Sequence, residues 1–409
     1  MAEQALAGLR VIEFADFTAA YAGRLLADLG AEVIKVEPPG GGHQRHTPPF
    51  LAGEPPGPDT SLAFWVHNTS KKSVVLDLDD PAGRASARAL ALGADVVLED
   101  CTVGYLAARG LGYEELSGEK PSLVYTSVTG FGQSGPHAGY AYTDIVGQAM
   151  GGIMTLAGDP ADPPNMIYGN QADVTASIMA AQGTLLAVLH ADATGEGQLV
   201  DVSAQEALSI SQETAMQTWD LQKRNRTRAG SRGMIPIELP GACTYETSDG
   251  HVLSFVLAPG GDDFPAVLDW MRERGMQEDL DDEPYASVAL NLNMAWLTRI
   301  MGDPSVVGET LPALMHIQEV CKRFFASMTA VEAYEEGQGR RLLFGAVSTP
   351  RSLAENRQLR ARDWYTTLGF NGRKVEFPGA PYRLSATPAV IGRPPRLGEH
   401  TAEVLAAVK

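Results

Sequence analysis

The chain has 409 residues, of which 44% are hydrophobic and 20% are charged, a composition typical of globular proteins. Its 32 Lys and Arg residues against 50 Asp and Glu residues give a formal net charge of −18, which argues against binding to duplex nucleic acid or to an anionic membrane. The length predicts two domains, because single cores rarely grow beyond roughly 250–300 residues.

Neither a targeting segment nor a membrane span is predicted. The first residues, "MAEQALAGLRVIEF", lack a basic segment followed by an apolar core, and no uninterrupted apolar run reaches the roughly 18 residues that a span needs. A cytoplasmic location is therefore expected. Cys101, Cys243 and Cys321 are far apart and form no CxxC motif, so buried free thiols are expected rather than disulfides or a zinc site.

The N-terminal third alternates short β-branched runs with amphipathic stretches. This alternation predicts a mostly parallel, Rossmann-like sheet covered by helices on both faces. No GxGxxG motif follows the first run, which weakens a dinucleotide interpretation. The predicted strands cover 9–15, 31–37, 73–78, 95–99 and 122–128, and the predicted helices cover 19–30, 81–93 and about 104–117.

Three later stretches complete the organisation. A long Pro- and Gly-rich loop covers 38–59, and either a functional role or a plain solvent-facing excursion fits it. After a glycine turn, "ATGEGQLVDVS" (193–203) predicts one more strand, and the basic run 221–233 is typical of a solvated linker. From about 240 to 325, a hairpin pattern and helical patterns predict a smaller second domain. Strands within 375–388 and a helix over 399–408 are expected at the end of the sequence.

One carboxylate has two competing interpretations. In "YGNQADVTASIMAAQGTLLAVL" (168–189), Asp173 stands at the start of a long apolar helix. Asp is a preferred N-cap residue because its side chain accepts a hydrogen bond from the first helical turn. Alternatively, the helix end holds a nucleophilic carboxylate that can accept an acyl group covalently.

Eight blocks distributed along the chain carry a resemblance to a known family. They are "GLRVIEF", "LADLGAEVIKVEPPG", "NTSKKSVVLDL", "VTGFGQSGP", "QADVTAS", "TGEGQLVDVS", "SDGHV" and "LGEHTAEVL". In order and spacing, from about residue 8 to 405, the sequence resembles the family III coenzyme A transferases, also called the CaiB/BaiF family.

The resemblance implies a fold and an assembly. An α/β large domain is built from both chain ends, a smaller α+β domain is inserted between them, and two subunits form an interlocked homodimer. On this sequence the large domain would comprise 1–210 and 326–409, the linker 211–239 and the small domain 240–325. The basic run would then cross to the partner.

The resemblance also implies a reaction. Coenzyme A moves from an acyl-CoA donor to a carboxylic acid acceptor, with no permanently bound cofactor. The family's catalytic aspartate corresponds to Asp173, which would form an aspartyl anhydride and then an aspartyl-CoA thioester, with backbone N–H groups stabilising the oxyanions. Asp144, in "AYTDIVGQAMGG", matches a carboxylate that supports the nucleophile, although a cap of its own helix is the simpler interpretation.

Departures from the family pattern leave alternatives open. Family members that racemise acyl-CoA have a histidine where this chain has Thr143, and threonine cannot exchange a proton near neutral pH. Transferase is therefore favoured over a racemase, and an isomerase that moves CoA within one molecule stays an alternative. The region 230–246 lacks a polyglycine run, so a catalytically silent CoA-binding subunit is a further alternative. Within that region, residues 234–237 could line an acyl pocket or pack in the core.

Cations for the phosphates of coenzyme A are not obvious in so acidic a chain. Some relatives have an arginine where this chain has Pro38. The remaining candidates are Lys71, Lys72, Arg45 and Arg109, each of which could equally be an ordinary surface charge. No metal site is predicted, because the eight histidines are dispersed. The sequence does not indicate which carboxylic acid the enzyme uses.

Overall fold

The structure, a computed structural model, describes residues 4–232, 238–257, 263–301, 303–370 and 372–407. The chain divides into two compact units. The larger unit takes its described residues from Met1–Met154, Met166–Lys223 and Arg357–Lys409, and the smaller unit from Thr155–Asn165 and Arg224–Asn356.

Eleven strands lie within the described ranges. They are β1 (Arg10–Phe14), β2 (Glu32–Glu37), β3 (Lys72–Val75), β4 (Val96–Glu99), β5 (Val124–Thr129), β6 (Leu199–Ser203), β7 (Thr244–Glu246), β8 (His251–Ser254), β9 (Phe344–Ala346), β10 (Tyr365–Phe370) and β11 (Arg373–Pro378).

Sixteen α-helices lie in the same parts of the chain. They are α1 (Ala20–Asp28), α2 (Leu62–His67), α3 (Pro81–Leu92), α4 (Tyr113–Glu119), α5 (Asp144–Met150), α6 (Gln171–Thr194), α7 (Ala204–Ser209), α8 (Ala215–Gln222), α9 (Asp263–Glu273), α10 (Tyr285–Asn291), α11 (Met294–Met301), α12 (Pro304–Ala326), α13 (Ala330–Gly339), α14 (Pro350–Ala354), α15 (Arg357–Ala361) and α16 (Thr401–Ala406).

A six-stranded sheet organises the larger unit, with the strand order β3-β2-β1-β4-β5-β6. Every neighbouring pair in it is parallel, which confirms the predicted Rossmann-like sheet. Helices cover both faces of the sheet. Successive residues of a strand point to opposite faces, so neighbouring residues pack in different cores. Val11 packs in a core with α1, α6 and α7, whereas Ile12 packs in a second core with α3, α4 and α16.

Two predicted elements differ from the observed ones for local backbone reasons. Instead of one helix over 104–117, a 3-10 turn ends before Gly110, whose φ of 70° is left-handed, and α4 starts only at Tyr113. The strand expected over 375–388 stops at Pro378, where β11 ends. Proline lacks the N–H that would continue the ladder.

The smaller unit contains the predicted hairpin, since β7 and β8 pair antiparallel. Its boundary lies later than the predicted residue 325, because β9 also pairs with β8 and Phe344 packs against Trp270 with ring centroids 5.7 Å apart. Burial of that aromatic side chain requires the chain to stay in this core beyond α12.

Helix α6, with 24 residues, is the one helix within the described ranges that is long and apolar enough to cross a membrane; the mean hydropathy of its most apolar 18-residue stretch is 1.4. Length and composition alone are weak evidence, since core helices meet the same criteria. One side of α6 is packed in the larger unit's core, where Ala176, Ala180 and Ala187 are buried. That packing accounts for only part of its apolar composition, because Ile178, Leu186 and Leu189 of the same helix are exposed.

Candidate active site

A cleft lies at the carboxyl edge of the parallel sheet. The order of strands reverses between β1 and β4, and a crevice at such a switch point is where open α/β sheets bind ligands. Asp16 follows β1 and Asp100 follows β4. Both aspartates line two cavities, of about 860 Å³ and about 620 Å³, which we call the Asp173 cavity and the adjoining cavity. The two cavities share the lining residues Asp16, Asp100, Cys101 and Thr102 and are therefore neighbours at this edge.

Asp173 lies in the first turn of α6 and lines the larger cavity, where it is 6% exposed. It is not the N-cap. Asn170 takes that position in the left-handed conformation, with a φ of 55°, and caps no N–H with its side chain. The N-cap interpretation of Asp173 is therefore wrong, and its carboxylate is directed into the cavity instead of being used on its own helix.

Asp144 caps α6 from a different helix. Its Oδ1 accepts hydrogen bonds from the backbone N–H groups of Ala172 at 2.8 Å and Asp173 at 3.2 Å, and its Oδ2 accepts one from Gln148 Nε2 at 2.7 Å. It does not cap its own helix α5, where Thr143 is the N-cap. The two N–H groups that it binds are therefore engaged, so an oxyanion would need other donors than these.

Tyr142 belongs to the site, although it was not among the predicted residues. Its hydroxyl donates to Asp173 Oδ1 at 3.1 Å. Two glycines make room for the ring: a Cβ on Gly130 would lie 2.3 Å from Tyr142 Cδ2, and one on Gly147 would lie 2.5 Å from its hydroxyl oxygen. The only signal in the sequence was that Tyr142 stands two residues before Asp144 in the same block.

The acidity of Asp173 is weakened by its surroundings. Burial, and then the negative charge of Asp144, raise the pKa of Asp173 to about 7, while hydrogen bonds from Tyr142 and Thr18 oppose the rise. The same surroundings raise the pKa of Tyr142, chiefly through burial and then through the charge of Asp173. Near neutral pH the site therefore holds both protonated and ionised Asp173.

Replacing Asp144 with Ala is expected to destabilise the start of α6. The change leaves the N–H groups of Ala172 and Asp173 unsatisfied in a buried position, which costs on the order of 1–3 kcal/mol. Asp144→Asn retains an acceptor oxygen and should lose clearly less. Thermal unfolding of both variants measures this difference, and equal losses would show that the capping bonds are not what stabilises the helix start.

Two of the four predicted phosphate ligands are buried in ion pairs. Arg45 binds both oxygens of Glu37, at 2.6 and 2.8 Å, and its guanidinium lies 3.6 Å from the centroid of the Phe64 ring. Lys71 Nζ contacts Glu13 Oε2 at 2.8 Å and Asn68 Oδ1 at 2.8 Å. Neither cation lines the cleft, and their burial in ion pairs argues against a phosphate role, which stays a prediction. In the loop 38–59, Gln44 and Arg45 are buried while half of the residues are exposed, so the burial of Arg45 anchors the loop without deciding between its two interpretations.

The other two predicted ligands lie nearer the surface. Lys72 Nζ pairs with Glu32 and Glu403, each at 2.9 Å. Arg109 pairs with Asp79 at 2.6 Å and stacks 3.8 Å from the centroid of the Tyr105 ring. Asp79 and Tyr105 line the adjoining cavity, which places Arg109 beside the cleft. A phosphate role for Arg109 stays a prediction.

Two other expectations from the sequence were that no metal site is present and that residues 234–237 line an acyl pocket or pack in the core. In the part of the chain that the structure describes, no group of three or more His, Cys, Asp or Glu side chains could hold a metal ion. Residues 234–237, which were expected to line an acyl pocket or pack in the core, fall outside the described ranges.

A parallel sheet with a buried carboxylate in its switch-point cleft is the arrangement of an α/β enzyme for a small-molecule substrate. The family described as CoA-transferase family III matches residues 6–401. The chain belongs to this family and is a CoA-transferase, an enzyme that uses CoA thioesters as substrates.

Individual relatives cover nearly the whole chain. The succinyl-CoA:(R)-benzylsuccinate CoA-transferase subunit of Thauera aromatica is 34% identical over 97% of this chain and 92% of its own length. The succinate–glutarate CoA-transferase of Agrobacterium fabrum is 33% identical over 99% of this chain and 96% of its own. A solved CaiB/BaiF family protein from Brucella suis is 28% identical, with both chains fully covered and a TM-score of 0.82.

Proposed function

We propose that Asp173 is the nucleophile of the CoA transfer. The supporting observation is a contrast among the carboxylates that line the Asp173 cavity. Asp16, Asp100 and Asp144 each accept hydrogen bonds from two backbone N–H groups, which fixes these side chains as parts of the framework. Asp173 accepts no hydrogen bond from the backbone of the described residues. It accepts one from the Tyr142 hydroxyl instead. It is the carboxylate left free to react.

The proposed reaction proceeds by four exchanges at carbonyl carbons. A carboxylate oxygen of ionised Asp173 attacks the acyl carbon of the donor thioester, the C–S bond breaks, and CoA thiolate leaves behind a mixed anhydride. The thiolate then attacks the Asp173 carbonyl carbon, which releases the donor acid and forms an aspartyl-CoA thioester. The acceptor carboxylate displaces the thiolate to give a second anhydride. The thiolate finally attacks the acceptor's acyl carbon and regenerates the Asp173 carboxylate.

Asp144 and Tyr142 act on this reaction through Asp173. Asp144 fixes the first turn of α6, so that the reacting carboxylate does not have to be ordered in each cycle. The Tyr142 hydroxyl donates to the oxygen Oδ1, which favours the ionised form that attacks. Activity should therefore fall below pH 7, because the pKa of Asp173 is raised to about 7, first by burial.

The nucleotide part of CoA is proposed to occupy the adjoining cavity, which shares lining residues with the Asp173 cavity at the sheet edge. Its lining includes Asp16, Asp77 and Asp79, so local donors must offset these charges. Lys35 lines the same cavity but is paired with Glu13 at 2.9 Å. His43 and His46 also line it, and Arg109 lies beside it. His43, His46 and Arg109 are the proposed candidates for contacting the phosphates.

The experiment that tests Asp173 is peptide mass spectrometry after mixing the enzyme with acyl-CoA and trapping with hydroxylamine or borohydride. A hydroxamate or a reduced alcohol on the peptide that contains Asp173, absent in Asp173→Asn, is the expected result. A silent CoA-binding subunit would bind CoA and give no adduct. A racemase would exchange the α-proton of its substrate with solvent deuterium, for which Thr143 supplies no base.

The chain is further proposed to form the interlocked homodimer that its family resemblance implies. Large apolar side chains are exposed on α6 and α8, among them Leu186, Leu189 and Trp219. Exposed apolar patches of this kind mark interaction surfaces. Sedimentation should give twice the chain mass of 43.6 kDa, and the double variant Leu186→Lys, Leu189→Lys should shift the protein toward monomer. A monomeric wild-type enzyme would contradict the proposal.

The cytoplasmic location stays a prediction from the sequence.

A further inference from the structure

The hydroxyl of Tyr142 touches the carboxylate that is proposed as the nucleophile. It donates a hydrogen bond to Asp173 Oδ1 at 3.1 Å. Its ring is held in place, because it fills space that a Cβ on Gly130 or Gly147 would occupy. The Phe131 ring packs against it edge-on, with ring centroids 6.1 Å apart. The donor is therefore oriented before a substrate binds.

The proposed reaction makes different demands on this hydrogen bond at different steps. In the first step the Asp173 carboxylate becomes an anhydride, whose carbonyl oxygen is a weaker acceptor, so the bond stabilises the reactant. In the second step the CoA thiolate attacks the Asp173 carbonyl carbon, and the carbonyl oxygen becomes an oxyanion. An oxyanion accepts a stronger hydrogen bond than a carbonyl does, so the same donor then stabilises the transition state.

An oxyanion on the Asp173 carbon forms in unfavourable surroundings. Burial and then the negative charge of Asp144 raise the pKa of Asp173 to about 7, and both disfavour negative charge at this position. The backbone N–H groups of Ala172 and Asp173 are already bound to Asp144. Tyr142 is suited to stabilise the oxyanion, since burial raises its own pKa and keeps its proton in place at neutral and moderately alkaline pH.

We infer that Tyr142 is a catalytic residue, whose hydroxyl donates to the oxyanion on Asp173 Oδ1 whenever a nucleophile attacks the Asp173 carbonyl carbon, while Oδ2 carries the acyl group. In the second step the C–S bond forms and the electron pair of the C=O bond moves to Oδ1. Its return breaks the bond to Oδ2, and the donor carboxylate leaves with that oxygen. Tyr142 keeps its proton throughout. The inference rests on the proposed function of Asp173.

The test isolates the attack on the Asp173 carbonyl carbon. Tyr142→Phe removes the hydroxyl and keeps the ring, while a hydrogen bond from Thr18 remains on the carboxylate. The enzyme is mixed with acyl-CoA without an acceptor, quenched in acid at successive times and analysed by intact-protein mass spectrometry. Enzyme heavier by the acyl group is the anhydride, and enzyme heavier by CoA is the thioester. The growth rate of the thioester, divided by the amount of anhydride present, measures this attack alone.

This quotient should fall at least tenfold in Tyr142→Phe, because the loss of one oxyanion donor typically costs about 10²–10³-fold in turnover. Damage that only weakens acyl-CoA binding lowers both adducts and leaves the quotient unchanged. Tyr334→Phe, the same change at an exposed position of the smaller unit, is the matched control and should keep the wild-type value. An unchanged quotient in folded Tyr142→Phe overturns the inference, whereas absence of both adducts in the wild type overturns the proposed function.

The pH dependence separates this role from the effect of Tyr142 on the ionisation of Asp173. If the hydroxyl only favoured the carboxylate, the loss of kcat/KM in Tyr142→Phe would vanish at about pH 9, roughly two units above the raised pKa of Asp173. An oxyanion donor acts at every pH, so the loss should persist there, and a loss that vanishes contradicts the inference. If Tyr142→Phe does not fold, Tyr142→3-fluorotyrosine keeps the ring and strengthens the donor, and a quotient that does not rise decides against the inference.

Discussion

Asp173→Asn is expected to lower kcat/KM for CoA transfer by at least about 10³-fold, because an amide cannot form the covalent intermediate. Asn has nearly the same shape and keeps an oxygen that can accept the hydrogen bond from Tyr142, so the cavity should keep its geometry. The matched control is Asp192→Asn, the same change at an exposed position of the same helix. The control should retain wild-type activity.

The same variant should be more stable than the wild type at high pH. The pKa of Asp173 is raised from an ordinary 3.8 to about 7 in the folded state, chiefly by burial. Between these values the folded chain binds a proton that the unfolded chain does not, so the contribution of Asp173 to stability falls as the pH rises. Asn does not titrate, and at pH 8 the variant should gain on the order of 4 kcal/mol relative to its difference from the wild type near pH 4.

Activity and stability together decide the role of Asp173. Loss of turnover with a gain in stability at pH 8 is typical of a functional group held in an unfavourable environment. Retention of more than a tenth of the wild-type turnover would exclude Asp173 as nucleophile. Loss of stability at every pH would show instead that its carboxylate is a structural partner of Tyr142.

Lys71→Met is expected to be the most destabilising of the charge removals considered. Lys71 is 3% exposed, and its Nζ contacts Glu13 Oε2 at 2.8 Å and the carbonyl oxygen of Ala20 at 2.7 Å. Glu13 is wholly buried, and Lys35 would remain as its cationic partner at 2.9 Å. Breaking a buried pair costs about 3–5 kcal/mol when it leaves a charge without compensation, and because Lys35 remains beside Glu13, the loss is expected at the lower end of this range.

The neighbouring lysine is the matched control. Lys72 has the same side chain, but it is 31% exposed and pairs with partly exposed Glu32 and Glu403. Its replacement by Met should cost about 0–1 kcal/mol, as for other surface pairs. At equal protein concentration, the thermal midpoint should fall by roughly 5–15 °C for Lys71→Met and by about 3 °C or less for Lys72→Met.

This comparison also separates the two roles considered for Lys71. A structural partner of Glu13 lowers the unfolding temperature when it is removed and leaves the affinity for CoA of the remaining folded enzyme unchanged. A phosphate ligand would do the opposite. Weakened CoA binding without loss of stability would therefore refute the structural assignment.

The order of strands and helices in the larger unit was predictable from the sequence, because it depends on local pattern. Runs such as "LRVIEFA" and "AEVIKVE" are rich in β-branched residues, which favour strands, and β1 and β2 form there. Gly110 and Pro378 ended elements for equally local reasons, although their effect was not foreseen. The choice of Asp173 as a candidate also came from the sequence, through its place before an apolar helix and within a family block.

What surrounds that carboxylate was decided by the tertiary structure. A carboxylate at a helix start looks alike in sequence whether it caps its own helix, caps another or faces a cavity. Asp144 caps α6 across 28 positions, and Tyr142 reaches Asp173 across 31. Likewise, a lysine pair in "NTSKKS" does not reveal that Lys71 is buried against Glu13, 58 positions away, while Lys72 stays near the surface. Burial and long-range partners set the charge state and availability of each group, and both depend on how the strands pack.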